Sequence, residues 1–141
     1  MKKIFIIISL IMLICNYTFS ESSLPECKGN DIKGTFKKFK KVRKWSNCQG
    51  SFTGPGGANY TGEFYEGKFH GKGTFTADGR KYVGEWINHD QHGFGTYTYA
   101  NGDKYEGEFK KGKYDGEGTY TYSDGRIEKG IYKKGKLIKK N

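Results

Sequence analysis

The chain has 141 residues, with 22 glycines, 16% aromatic residues, three cysteines and a formal net charge of +10. The positive charge sits at the ends: residues 21–44 carry 8 basic and 3 acidic side chains, residues 45–125 carry 8 and 11, and residues 126–141 carry 7 and 1. A mildly acidic middle, with basic ends not interleaved with a recognisable binding module, speaks against nucleic acid as a partner, and lysine on terminal strand edges serves in its own right to discourage edge-to-edge pairing.

Lys2 and Lys3 precede an apolar run from Ile4 to Ile14, and Thr18-Phe19-Ser20 puts small side chains at the positions a signal peptidase reads. This is the order of a cleaved secretory signal over residues 1–20, and the run is too short for a comfortable membrane span. The expectation is an exported protein, periplasmic or secreted, whose mature chain begins at Glu21. The alternatives are a lipid anchor on Cys15, which bulky Ile14 disfavours, and a retained membrane association. Without the leader, Cys27 and Cys48 are the remaining thiols, and a pair in an exported chain reads as a disulfide. Closing a loop of about 20 residues stabilises by on the order of 3 kcal/mol through the unfolded state.

Between Ile32 and Trp45, Ile32, Phe36, Phe39, Val42 and Trp45 recur every three or four residues, with Lys33, Lys37, Lys38, Lys40, Lys41, Arg43 and Lys44 between them. Two readings stand: a helix lying on an anionic lipid surface through Lys37, Lys38, Lys40, Lys41, Arg43 and Lys44, or a degenerate first repeat with a basic insertion, since Gly34-Thr35-Phe36 echoes Gly73-Thr74-Phe75. Gly34 weakens the helix and favours the second. Residues 21–49 are thus a disulfide-linked basic cap or degenerate repeat.

From there a phrase recurs at intervals of 22 and 23 residues: Tyr60-Thr61-Gly62-Glu63-Phe64, Tyr82-Val83-Gly84-Glu85-Trp86 and Tyr105-Glu106-Gly107-Glu108-Phe109. Each copy is followed by an echo closing on G-x-G: His70-Gly71-Lys72-Gly73, His92-Gly93-Phe94-Gly95 and Asp115-Gly116-Glu117-Gly118. Such a period marks an array whose units stack on their neighbours. Gly95-Thr96-Tyr97-Thr98-Tyr99 has strand composition, and Asn101-Gly102 supplies a turn expected to take positive φ at both central residues. Asp78-Gly79 and Asp124-Gly125 repeat that turn, Gly56-Gly57 does the same earlier, and the copy at Ala77–Lys81 is one residue shorter. A strict two-residue loop at Asn101-Gly102 would put Tyr97 and Tyr99 on the face opposite Tyr105 and Phe109; one bulged residue would bring them together. Gly130-Ile131-Tyr132-Lys133-Lys134-Gly135 begins a partial last unit, with Glu128 in the place of Tyr105, and fits a cap.

The phrase Y-x-G-E-[FW] closing on G-x-G resembles the MORN (membrane occupation and recognition nexus) repeat family over residues 50–136. Leu24-Pro25-Glu26-Cys27 and Trp45-Ser46-Asn47-Cys48-Gln49-Gly50 are similar to the opening segment of small exported bacterial members. The expected fold is all-β, an elongated single-layer antiparallel sheet of tandem β-hairpins, followed by a basic tail at 137–141. A single layer leaves rings half-exposed, so Tyr60, Phe64, Phe75, Tyr82, Trp86, Tyr97, Tyr105, Phe109 and Tyr120 are the candidate contact surface. The competing reading is that these rings only cover one another and the array is a spacer.

No catalytic constellation is evident. His70 and His92 recur with the repeat, His89, Asp90 and His92 lack a further firm metal ligand, and Glu63, Glu85 and Glu108 are spaced as structural charges. The G-x-G pairs precede strands, which argues against a phosphate cradle. The expectation is a non-enzymatic scaffold of the cell envelope with no cofactor and no small-molecule substrate, binding an unknown protein partner. The alternative is a peripheral module for anionic lipid using the basic ends.

Overall fold

The computed structural model describes residues 23–28, 32–33 and 42–141. They form one ten-stranded sheet whose spatial order follows the sequence: β1 (Ile32–Lys33), β2 (Cys48–Thr53), β3 (Asn59–Tyr65), β4 (Lys68–Ala77), β5 (Arg80–Ile87), β6 (Asp90–Thr98), β7 (Lys104–Lys110), β8 (Lys113–Thr121), β9 (Ile127–Lys133) and β10 (Lys136–Lys140). Each neighbouring pair from β2 onward is antiparallel, whereas β1 runs parallel to β2. The strands pack substantially only on their sequence neighbours, as a stacked array should. The all-β tandem-hairpin architecture is as expected. Residues 137–140, expected in a tail, instead lie in β10 and extend the sheet. The leader and the 34–41 stretch, with the choice between lipid-surface helix and degenerate repeat, lie outside the described residues.

Register explains the repeat. Phe52, Tyr60, Phe75, Tyr82, Tyr97, Tyr105 and Tyr120 pair directly from strand to strand, so they form one row on one face. Two residues along, every strand from β2 to β9 contributes a glycine, from Gly50 to Gly130, in a second continuous row. A third row carries Phe64, Trp86, Phe109 and Tyr132. Tyr97 and Tyr99 therefore share the face of Tyr105 and Phe109, because strand residues alternate sides.

The turns set that register by two different lengths. Asp78-Gly79 is a strict two-residue loop with φ of 49° and 73°, joining Ala77 to Arg80. The Asn101-Gly102 turn differs from expectation: Tyr99 N–H donates to the Asp103 carbonyl at 2.8 Å, and of the two named residues only Gly102 is left-handed, at φ 90°. This is a three-residue loop ending on a left-handed glycine. The extra residue is absorbed outside the sheet, so Tyr105 still faces Tyr97 as Tyr82 faces Phe75, and the interval grows from 22 to 23.

The two glycines of each G-x-G do separate jobs. The first lies in a bulge on the second strand of the unit: Gly71 and Gly93 both take φ 54°, and the register shifts beside them between Gly62 and Glu63 and between Gly84 and Glu85. The carboxylate of Glu63 or Glu85 lies over that glycine, and in the third unit Glu108 Oε1 accepts the Glu117 N–H at 3.0 Å. Glu108 thus fastens its bulge, and Glu63 and Glu85 occupy the same place in theirs. The second glycine lies beneath a tyrosine ring: a Cβ on Gly73, Gly95 or Gly118 would overlap the ring and hydroxyl of Tyr60, Tyr82 or Tyr105.

The amino-terminal end is closed by a stapled segment. Cys27 and Cys48 form the expected disulfide, with Cα atoms 5.0 Å apart. Cys27 N–H donates to the Gln49 carbonyl at 2.7 Å, and Gln49 N–H to the Pro25 carbonyl at 2.8 Å. Val42 and Trp45 are buried, with the Trp45 ring edge-on to Phe64 at 4.8 Å and its Nε1 donating to the Lys28 carbonyl at 3.0 Å. Val42 and Trp45 of the basic stretch thus serve as a lid on the first unit.

Gly118→Ala should lower stability in urea denaturation by about 1–3 kcal/mol or more, because the added methyl would meet a fixed ring. Gly54→Ala is the matched control: φ is −83° and the nearest atom to its Cβ would be 3.4 Å away, so no loss is expected. Equal losses at both sites would contradict the ring-over-glycine packing.

Candidate functional site

Six of the nine rings expected to form a contact surface are sealed. Tyr60, Phe64, Tyr82, Trp86, Tyr105 and Phe109 are each at most 5% exposed, with Tyr82 and Tyr105 at 0%. The expectation failed on these six because one layer of backbone was equated with one layer of cover. Rings lying across glycine are covered from above by their neighbours: Tyr82 is met edge-on by Trp86 at 4.9 Å and by Phe109 at 5.0 Å, and Tyr105 by Phe109 at 5.2 Å and Tyr132 at 5.1 Å. Phe75, Tyr97 and Tyr120 remain half-buried.

The buried tyrosines are also tied by their hydroxyls. Tyr60 donates to the Glu63 carbonyl at 2.9 Å, Tyr82 to that of Glu85 at 2.9 Å and Tyr105 to that of Glu108 at 3.2 Å. Burial, helped by Glu63 and Glu85, pushes the Tyr60 and Tyr82 hydroxyls well above the ordinary tyrosine range; burial, then Tyr132 and Glu108, does the same at Tyr105. Tyr114 is raised by burial and by its hydroxyl bond to Tyr99.

One position missed in the sequence organises the remaining surface. Phe69, Gln91 and Tyr114 stand one residue before His70, His92 and Asp115, and each directly faces the third-row ring of its own hairpin: Phe64, Trp86 and Phe109. Phe69 stacks flat on Tyr60 at 3.7 Å and Tyr114 on Tyr105 at 3.6 Å. The carbonyls of this position also accept an N–H from the next unit's turn: His89 to Phe69 at 3.0 Å, Gly112 to Gln91 at 3.0 Å and Gly135 to Tyr114 at 2.9 Å. Gly67 makes the same bond to Trp45 at 2.7 Å, so Trp45 opens the series. Aligning the three echoes one residue further upstream would have exposed the position, although not its stacking role.

Where Gln91 replaces the ring, an open groove of about 440 Å³ is lined by Gln91, Tyr97, Tyr99, Gly112, Lys113, Tyr114 and Gly135. It brings together Tyr97, a half-buried residue of the expected surface, with Tyr99 and Tyr114, which the expected surface omitted. Further along the same face, Tyr120 donates to Asp103 at 2.9 Å, Tyr122 to Glu128 at 2.9 Å, and Arg126 covers the Tyr122 ring at 4.4 Å. The opposite face carries hydroxyls, among them Ser51, Thr61, Thr74, Thr96 and Thr119.

Of the lysine and arginine positions considered for lipid, Arg43 and Lys44 are exposed beside the Gly67 turn, while Lys37, Lys38, Lys40 and Lys41 lie outside the described residues. His89 belongs to a turn, at φ 73° where the other units have glycine, and its Nδ1 accepts the Phe69 N–H at 3.3 Å. Burial and then Lys68 hold its ring below the ordinary histidine range. Among the described residues no cluster of three or more His, Cys, Asp or Glu could hold a metal ion, and no helix is long and apolar enough to cross a membrane.

Gln91→Phe should restore the missing stack on Tyr82 and raise stability by about 1 kcal/mol in urea denaturation; a loss would mean the position does not accept a ring. The raised tyrosines give a pH signature. They stay protonated in the folded state while the unfolded chain ionises near pH 10, so their contribution is complete below that pH and is lost as pH climbs beyond it. Stability measured between about pH 8 and 11.5 should fall steeply above about 10, with tyrosinate absorbance rising together with unfolding; early ionisation in an intact sheet would contradict the burial.

The MORN repeat family profile matches residues 60–79, 82–104 and 105–125. No curated protein sequence matches the chain. The matched segments coincide with the three hairpins whose tyrosine, bulge glutamate and paired glycines interlock, and the chain is a MORN repeat-containing protein.

Proposed function

We propose that this protein is an exported, non-enzymatic scaffold of the cell envelope that holds a partner protein against the ring-bearing face of its sheet. MORN repeats are in general scaffolds for protein or membrane contacts, and the proposal narrows that role to a protein contact at one place. The observation that carries it is the groove at Gln91: the third-row rings Phe64, Trp86, Phe109 and Tyr132 are buried, whereas Tyr97, Tyr99 and Tyr114 line an open depression. Aromatic side chains at the mouth of a depression are suited to anchoring a partner. The leader-like residues 1–20 and the Cys27–Cys48 disulfide support location outside the cytoplasm.

A peripheral module for anionic lipid is the competing reading, favoured by exposed Arg43 and Lys44 and by exposed lysines of the last two turns. Two measurements separate the readings. A photocrosslinking side chain at Tyr99 should capture a protein in intact envelopes, and the same group at Thr96 on the opposite face should not. Flotation with anionic liposomes should show no salt-sensitive binding. Export is checked separately, by a mature-chain mass that corresponds to a start at Glu21. Equal capture from both faces, or flotation abolished by changing Lys37, Lys38, Lys40 and Lys41 to Gln, would overturn the protein-contact reading.

A further inference from the structure

The groove has a chemistry of its own. Its aromatic side is formed by Tyr97, Tyr99 and Tyr114, and at its base Gln91 takes a position that other units fill with a ring. The rest of its lining is Gly112, Lys113 and Gly135, and the Gly135 N–H ties the last turn to the Tyr114 carbonyl of β8 at 2.9 Å. The turns of Gly112 and Gly135 read Lys110-Lys111-Gly112-Lys113 and Lys133-Lys134-Gly135-Lys136, so six exposed lysines stand on the two neighbouring turns, with Lys113 lining the groove itself. The equivalent turns of earlier units, Tyr65-Glu66-Gly67-Lys68 and Ile87-Asn88-His89-Asp90, have no such excess. Of the nearby acids, Asp115 is engaged by Lys133 at 2.9 Å and by the Lys134 N–H at 3.3 Å. Asp90 precedes Gln91 in the strand and alternates to the other face.

We propose that the groove docks an extended segment of the partner protein in which one aromatic side chain is flanked by Asp or Glu. The ring settles over Gln91 against Tyr97, Tyr99 and Tyr114, completing the interrupted pattern, and the flanking carboxylates meet the lysines of the two turns. An aromatic anchor and complementary charge are separate contributions, the first to residence and the second to association and specificity. The inference rests on the scaffold reading and gives the partner's contacting segment a composition. An anionic membrane would satisfy the lysines but presents no side chain to a depression of this size.

The probe is a fluorescent nonapeptide with a central phenylalanine between aspartates and glutamates, titrated by anisotropy against the full mature chain with its disulfide intact. Saturable binding is expected, weakened at least about tenfold when phenylalanine is replaced by alanine and again when the acids are replaced by lysines. Gln91→Phe fills the groove with the residue type other units use, so it should lose the peptide at least about tenfold while keeping or raising the unfolding midpoint. Lys113→Glu combined with Lys134→Glu should weaken binding with the fold intact. No saturable binding, equal binding of the alanine peptide, or undiminished binding by folded Gln91→Phe would each overturn the proposal. Tight binding of phosphatidylglycerol vesicles without binding of the peptide would assign the lysines to lipid and overturn it as well. Capture of a protein at Tyr99 with failure of the peptide would leave the scaffold reading standing and remove this one alone.

Discussion

A tyrosine ring lying across the glycine of the next strand is the contact on which this sheet depends. A lone sheet has no facing layer to bury its side chains, and an aromatic residue standing upright on it would stay wet. Glycine removes that difficulty by letting the ring lie down: Tyr60 covers Gly73, Tyr82 covers Gly95 and Tyr105 covers Gly118. The hydroxyl then reaches the carbonyl beside the bulge, so the polar end of the buried ring is satisfied. Rings from the third row close over the top. The sheet thus makes its core out of its own strands, and a tyrosine, two glycines and a glutamate have to recur together because none works without the others.

Much of this was legible in the residues. The recurrence of Tyr, Gly, Glu and an aromatic at fixed offsets is enough to place every hairpin from Asn59 to Thr121, since a strand that slipped by one residue would turn its whole ring row outward. The shorter turn at Asp78-Gly79 correctly located the change in period. Burial was harder to read. Counting layers predicts exposed rings, and the outcome at Tyr82 depends on where a flat ring falls over a glycine on another strand, a pairing offset that alternation alone does not set. The Asn101-Gly102 turn leaves two alternatives open in the sequence for a related reason: Asn-Gly suits two loop geometries, and the choice between them is made by the register of Tyr97 against Tyr105.

Repetition also separates structure from individuality. Positions alike in every unit, such as Glu63, Glu85 and Glu108, lie over the bulge glycines and belong to the repeat. The candidate site is found instead at departures from the pattern. Gln91 withholds a ring, and lysines fill the last two rim turns where Glu66 and Asn88 occupy earlier ones. Gln91 and Lys113 line one groove, which Gly135 of the last turn also reaches. Coincidence of an apolar gap and a charge excess is what distinguishes this place from the rest of a surface whose half-buried aromatics are otherwise occupied with each other or with Asp103, Glu128 and Arg126.

The two ends of the sheet differ in a way that bears on how such an array stays discrete. An open strand invites another chain to add to it. At the beginning, the outer side of β2 is taken by residues 25–27 and by β1, and the disulfide prevents that segment from peeling away. At the other end β10 is shielded differently: its pairing with β9 is broken by a bulge between Leu137 and Lys139, and Lys136, Lys139 and Lys140 line it with like charge. Two such charged edges repel, so pairing of one β10 with another is disfavoured. The proposed partner contact is accordingly placed on the face of the sheet, where the groove lies.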